Sequence, residues 1–441
     1  MLKLLLDTLK TFEGVEYLVS ETKVRRVESF NIRQKSEMRR EVVTTDIALT
    51  LYVDFCENDE SGNQVNYRGS YSVDIHPGTS AEELHEIITQ GVYAAGFVKN
   101  AYYPLAPAST EPAVQNHSLD INISQALESL QVAFYECDVH DKGHISYSEF
   151  FITQRDERKI NSNGVDVVYT TYNAFVETAV HWSGENTGEI EVCESYRFSL
   201  DMGIDAAKAI LKERVNELFL TASKKAEAVP TPVVGNINIL LSGECLGTFF
   251  SYYRSLANAR LVYQQLSTFK EGENVQCGGQ SDKINLMLDP YMVGSTNSRP
   301  YDDDGLALQN HNIIADGKLL KYSGDTRFAS YLGIEPTGNI TNMHITGGTV
   351  SGADMRKAPY LELVSFSDFQ VHPITGDFGS EIRLGFYYDG TTIVPVTGGS
   401  ISGNMAKVHD SLRMSKEEKQ FNGYKGPAVI CITGASISAV V

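Results

Sequence analysis

Positive charge is scarce in this chain. Against 56 Asp and Glu stand only 37 Lys and Arg, a formal net charge of −19. Such a field repels phosphate backbones and anionic lipid surfaces, which excludes direct nucleic-acid and membrane-surface binding as expectations. Long apolar runs are missing too, and nothing approaches the roughly 20 residues a membrane-crossing helix needs. Cys56, Cys137, Cys193, Cys245, Cys277 and Cys431 lie far apart with no CxxC pair. That spacing favours unpaired thiols in a reducing compartment over a disulfide framework. The N-terminus has no uncharged apolar core: Asp7 and Lys10 interrupt Leu2, Leu5, Leu6, Leu9 and Phe12. The spacing is that of a helix and unlike a signal peptide. Together these absences predict a soluble, cytoplasmic protein.

What remains is ordinary globular composition, 42% hydrophobic and 21% charged over 441 residues, long enough for two cores. After the first helix, Val15 to Phe30, Val42 to Cys56 and Asn66 to Ile75 read as strands, the last with clear alternation. Ser80-Ala81-Glu82-Glu83 is a capping box, and Leu84, Ile87, Ile88, Gly91 and Val92 follow at helical spacing. Pro104, Pro107 and Pro112 mark 101–117 as a connector. A second helix is predicted over 119–137, then strands over 144–160, 165–183 and 188–199, then a third helix from Asp205 to about Lys225. The first half therefore reads as α+β, a sheet with helices on one face.

Two motifs there mimic metal sites. Asp138 to Glu149 places Asp, Gly, Ile and Glu as an EF-hand loop does, but His140 and Lys142 fill positions where calcium needs oxygen ligands. The segment reads as a loop running into a strand. His140 and His144 stand four apart, yet Gly143 lies between them and no helix is predicted to align them.

Composition breaks at 222–235, where Pro230 and Pro232 follow a Lys- and Ala-rich helix end. This divides the chain into an N-terminal α+β domain (1–225), a linker (226–235) and a β-rich C-terminal domain (236–441). Asn236 to Leu241 is a short strand, and Ser242-Gly243 opens a helix to about Leu256. A helix leaving into a turn is predicted over 264–285, strands over 283–289, 361–371, 379–388, 391–396 and 428–440, and one further helix over 411–420. Three echoes, TGGTVSG at 346–352, TGGSISG at 397–403 and TGASISA at 433–439, read as glycine turns opening strands. No Lys-Ser/Thr follows them to make a phosphate loop. Asp302-Asp303-Asp304-Gly305 reads as a turn, and Leu306 to Lys321 as two short strands joined across Ala315-Asp316-Gly317, since Asp-Gly is a strong hairpin signal.

The order DDDG, strand, DG turn, Leu-Lys-Tyr, short helix and TNMH over 301–348, with GFYYDGTTIVPVTGGSISGN over 385–404, resembles the TldD/PmbA (TldE) family, "modulators of DNA gyrase". The resemblance extends through most of the chain. It implies a metallopeptidase relationship, because the catalytic branch of that family carries HExxxH on the helix after the short strand, a zinc pair with a glutamate base. Here SGECLGTFFSYY puts Gly247, Thr248 and Tyr252 at the degenerate metal-helix positions, and no histidine occurs between His181 and His311. Asn422-Gly423-Tyr424-Lys425-Gly426 stands where a later cysteine ligand would be, with Cys431 beyond it in an apolar strand. Cys245, Cys277 and Cys431 themselves read as small apolar core residues.

The resemblance thus implies the metal-free, PmbA/TldE-like subunit of a metallopeptidase, with zinc expected only in a TldD-like partner subunit. Exposed sheet edges would hold unfolded peptide substrate by strand addition. Asp303, Asp304, Asn342 and Asn404 are the candidate peptide-binding residues, with turn and cap chemistry as the competing account of each. Two alternatives stand beside this reading: a self-sufficient hydrolase with a different site, and a homo-oligomeric peptide-binding scaffold, a homodimer being the commonest assembly.

Overall fold

A computed structural model describes residues 1–58, 60–109, 120–185, 188–235, 237–276 and 281–439. The N-terminal half runs α1 (Leu2–Leu9), β1 (Val15–Ile32), β2 (Lys35–Asn58), β3 (Gln64–Ile75), α2 (Ala81–Ala95), β4 (Asn100–Ala101), α3 (Ile123–Tyr135), β5 (Gly143–Asn161), β6 (Asp166–Gly184), β7 (Gly188–Ser199) and α4 (Ile204–Glu227). Its strands form one antiparallel sheet in the order β4-β3-β2-β1-β5-β6-β7. The β1–β2 turn places Arg33 and Gln34 at positive φ, 44° and 66°, the backbone that matches strand twist in a two-residue hairpin.

The capping box forms: Ser80 Oγ accepts from the Glu83 amide at 3.2 Å while Glu83 Oε2 accepts from the Ser80 amide at 2.7 Å. Gly91 lets α2 approach the sheet, since a Cβ there would lie 2.7 Å from Leu51. Leu5, Leu9, Leu49, Leu51, Leu84 and Ile88 make one core under α1 and α2, and Leu130, Phe134, Phe150, Leu211 and Phe219 share another under α3 and α4. Residues 138–149 run as a short loop into β5. Within that stretch His140 packs its ring on Phe219 (4.3 Å between centroids), while His144 lies beside His181 (5.3 Å).

The second half comprises β8 (Val229–Pro230), β9 (Asn238–Ser242), α5 (Cys245–Leu256), α6 (Ala259–Tyr263), β10 (Leu286–Leu288), β11 (His311–Ala315), β12 (Lys318–Leu319), α7 (Thr326–Leu332), β13 (Met343–Ile345), α8 (Gly352–Met355), β14 (Tyr360–Phe366), β15 (Gln370–Val371), β16 (Asp377–Tyr388), β17 (Ile393–Thr397), β18 (Ser400–Asn404), α9 (Met405–Val408), β19 (Arg413–Met414), β20 (Glu418–Phe421), β21 (Tyr424–Pro427), β22 (Val429–Ile432) and β23 (Ser436–Ser438). One sheet orders β12-β11-β10-β13-β21-β20, and another β19-β22-β9-β14-β16-β17-β8. Strand β16 pairs with β14 and β17 toward its C-terminal end and with β15 and β18 at its N-terminal end. Helix α5 shares a core with both sheets through Leu246, Phe249, Phe250 and Tyr253.

Several expectations are corrected. Residues 411–420 do not form a helix: Arg413 and Met414 pair with Cys431 and Ile430, and Glu418 to Phe421 with 424–427. Sheet pairing overrides the helix propensity of that charged run. The helix expected from residue 264 lies earlier, at Ala259–Tyr263, where Asn258 caps it. Cys277, Gly278 and Gly279 lie outside the described residues. Of the three glycine echoes, the second and third open strands that pair with each other, Ile401 opposite Ile437. The first leads into the four-residue helix α8. Within the expected linker, Val229 and Pro230 already pair with Val396 and Thr397.

Candidate functional site in the cleft between the two halves

The alternation of β7 buries Val192, Tyr196 and Phe198. Glu194 has the same parity, which places a carboxylate on the strand's apolar side, a signal present in the alternation of the sequence itself. That side meets α4 and, across a cleft, the second half. A cavity of about 790 Å³ opens there, reached by Glu194, by Arg214 and Glu217 of α4, by Gly243 and Glu244 before α5, and by Arg356 and Glu362. A second space of about 690 Å³ shares Tyr196, Arg214, Glu244, Lys419 and Phe421 with it and continues along Ser195 to Phe198 and to Val293 and Gly294.

Most charges in this cleft are matched. Arg356 grips Glu362 with Nε and Nη2 at 2.6 and 2.5 Å, and Ser242 Oγ donates to the same carboxylate at 2.9 Å. Lys419 and Arg214 both reach Glu217, and the Arg214 guanidinium lies 4.4 Å over the Phe421 ring. Glu417 accepts from the Gly352 amide at 2.9 Å. Glu194 and Glu244 form no ion pair within 4 Å among the described residues. Both reach cleft water, yet protein walls most of their surroundings. That enclosure, with Glu244 next, pushes the Glu194 carboxyl up to about 7. Enclosure likewise raises Glu244, with Arg214 opposing it. Glu194 can therefore take up or release a proton near neutrality, and the two carboxyls together can attract a cationic group.

The metal-helix positions point elsewhere. Gly247 packs against Tyr424, where a Cβ would lie 3.2 Å away. Tyr252 is buried against Tyr253 and Phe269, and its ring edge lies 3.1 Å from where a Cβ on Gly376 would sit. Thr248 is half-buried, and its carbonyl accepts from Ser251 Oγ at 2.7 Å. None of the three offers the neutral nitrogen or thiolate a zinc site needs, and the packing leaves no room for one. Cys245 and Cys431 are buried free thiols in different apolar clusters, and burial raises both thiol pKa values, Cys431 to about 11.

The four candidate peptide-binding residues are not gathered into one groove. Asp303 pairs with Arg299 at 2.7 Å. Asn342 is fully buried, accepting from Ser295 Oγ and donating to Ser298 Oγ at 2.7 and 2.9 Å. Asn404 caps α9 and donates to Asp377 and the Thr375 carbonyl. Asp304 lines a separate cavity of about 180 Å³ with Tyr52, Tyr103, Asp325 and Arg327. Its carboxyl is pushed up to about 7 by burial and by Asp302, Asp325 and Asp303. The Asp316-Gly317 turn forms as expected, with φ of 49° and 72°.

Fold and cleft together describe an α+β protein whose two halves meet across a cleft lined by charged side chains. Residues 234–439 match the family model described as the PmbA/TldA metallopeptidase C-terminal domain. An uncharacterized protein of Methanocaldococcus jannaschii is 26% identical over 286 residues, covering 62% of this chain and 65% of that one. A metalloprotease PmbA homolog of Haemophilus influenzae is 22% identical over 318 residues, covering 66% and 64%. The chain thus spans somewhat under two thirds of the length of these relatives. Among solved structures, TldE from Thermococcus kodakarensis superposes with a TM-score of 0.77 at 16% identity, over all of both chains. The family model and the curated relatives support a place in the TldD/PmbA family, and the superposition extends the TldE fold over the whole chain.

Proposed function

We propose that this chain is the non-catalytic, PmbA/TldE-like subunit of a TldD-type metallopeptidase, working in the cytoplasm. It pairs with a zinc-bearing homologue and holds unfolded peptide in the cleft between its halves. The observation that carries the reading is helix α5: the positions that bear HExxxH in the catalytic branch are Gly247, Thr248 and Tyr252, two of them locked into packing. A peptide has a place to bind. Strand β7 ends its sheet, and four consecutive residues of it, Ser195 to Phe198, line the cleft. Backbone pairing along such an edge is tolerant of sequence. Co-purification with a HExxxH-bearing homologue tests the reading; separate elution on size exclusion at every salt concentration would sink it.

The unpaired Glu194 and Glu244 favour a second reading, a self-sufficient hydrolase using this carboxylate pair as acid and base. Turnover of an unfolded protein by the isolated chain, insensitive to chelator and lost in Glu194→Gln, would select it. A stable homodimer that binds such a protein without cutting it would instead select the scaffold.

A further inference from the structure

We propose that His144, His181 and Glu189, at one end of the N-terminal sheet, bind a single divalent transition-metal ion of the zinc or copper class. The three residues come from three adjacent strands, β5, β6 and β7. His144 and His181 are direct cross-strand partners. His181 in turn faces Glu191, and Glu189 stands two pairs further along, on the same face and opposite Ser183. One ligand atom from each of His144, His181 and Glu189 lies within 4.8 Å of the others.

The hydrogen bonds around the group prepare it for a cation. His181 Nε2 lies 2.7 Å from Glu191 Oε2, and a carboxylate only accepts, so Nε2 carries the proton. In the neutral ring the lone pair is then on Nδ1, which faces Glu189 Oε1 at 3.4 Å. Two acceptors pointing at each other repel, and a cation between them removes the repulsion. Glu191 thereby plays the orienting part that a carboxylate plays behind a metal-bound histidine. Two imidazoles and a carboxylate suit zinc, copper or nickel and not calcium or magnesium, which prefer oxygen shells. Ligand atoms around zinc stand roughly 3.3 Å apart, given bonds of about 2.0–2.1 Å. The contraction required is small for two half-buried histidines and an exposed glutamate.

One neighbour competes. Arg33 Nη2 lies 2.9 Å from His144 Nε2, and a guanidinium only donates, so Arg33 uses the lone pair of the neutral ring. The metal must displace it whichever nitrogen it takes. His140 belongs to no part of the site, since its ring rests on Phe219. The ion would clip the ends of three strands together, far in sequence from α5 and independent of the subunit reading above.

The chain carries its own reporter. Its one tryptophan, Trp182, follows His181 and packs over the Gly143 backbone. Chelator-treated full-length protein is titrated with Zn²⁺ in a calorimeter and with Cu²⁺ by Trp182 fluorescence. One equivalent is expected, with quenching by copper. Glu191→Gln should weaken binding about 10- to 100-fold, and His144→Gln and His181→Gln should weaken it more. Arg33→Asn, which suits the turn, should tighten it, and His140→Gln should leave it unchanged. Failure of the wild type to bind saturably would overturn the proposal, as would uptake that survives both His144→Gln and His181→Gln.

Discussion

Arg68 is sealed from water and gripped by Asp54, whose two carboxylate oxygens accept from Nε and Nη2 at 2.7 and 2.8 Å. Glu16 adds a contact at 3.0 Å, and the rings of Tyr52, Tyr102 and Tyr103 surround the guanidinium at 4.7 to 5.7 Å. Tyr103 also underlies Arg327 of α7, whose Nη2 donates to Asn100 at 2.6 Å, so this cluster joins the two halves of the molecule.

Removing Asp54 leaves an enclosed cation with Glu16 as its remaining carboxylate contact, whereas removing Arg68 leaves partly exposed carboxylates that water can solvate. Asp54→Asn is therefore expected to cost about 2–3 kcal/mol, below the range for a fully buried pair because Asp54 is 41% exposed. Arg68→Met should cost less. Urea unfolding of both variants measures the difference, and equal losses would contradict the asymmetry.

Asp304 supplies a pH dependence. Its folded-state carboxyl titrates at about 7 against an ordinary 3.8, so between those values the folded state binds the extra proton. Stability contributed by this group is consequently greatest in acid, falls as pH rises from about 4 to about 7, and is level above that. Asp304→Asn keeps the shape without the charge. It should stabilise the protein by on the order of 1–3 kcal/mol at pH 8 and leave it unchanged near pH 4. Thermal melts across that range check it, and a gain of equal size at both ends would contradict the assignment.

The cleft carboxylates should govern peptide capture. Glu194 gains charge as pH passes about 7, and cleft water screens the effect. Binding of a cationic unfolded peptide should strengthen a few-fold between pH 6 and 8 in the wild type. The increase should vanish in Glu194→Gln, as read by fluorescence anisotropy.

Much of this was legible in the residues. Runs rich in Val, Thr, Tyr and Leu, with alternation over Asn66 to Ile75, gave the first strands, Ser80 and Glu83 gave the start of α2, and Asp316-Gly317 gave a turn. The ordered segments over 301–348 and 385–404 carried the family. What escaped is assembled from afar. Glu194, Arg214 and Glu244 come from a strand, a helix and a helix start, and only tertiary packing brings them to one cavity. His144 and His181 are 37 positions apart and meet through the β5–β6 register. The stretch 411–420 misled because its Lys, Glu and Gln suit a helix locally, while Arg413 and Met414 are claimed by β22.

Helix α5 offers the most demanding trial. If α5 differed from the zinc helix of the proposed partner in residue identity alone, Gly247→His, Thr248→Glu and Tyr252→His together would create a zinc site. Packing argues otherwise. Gly247 faces Tyr424, which stacks on Phe250 at 5.9 Å with rings 8° from parallel, so an imidazole there must push that stack apart. Tyr252 fills the space between Phe269 and Gly376, and histidine would leave part of it empty. Overpacking at one position and a void at the other each cost about 1–3 kcal/mol. The triple variant is thus expected to lose roughly 2–5 kcal/mol and to hold no zinc at this helix, as read by melting and by metal content in a His144→Gln, His181→Gln background. A stable triple variant with one tightly held zinc would mean that α5 is still built to receive the ion.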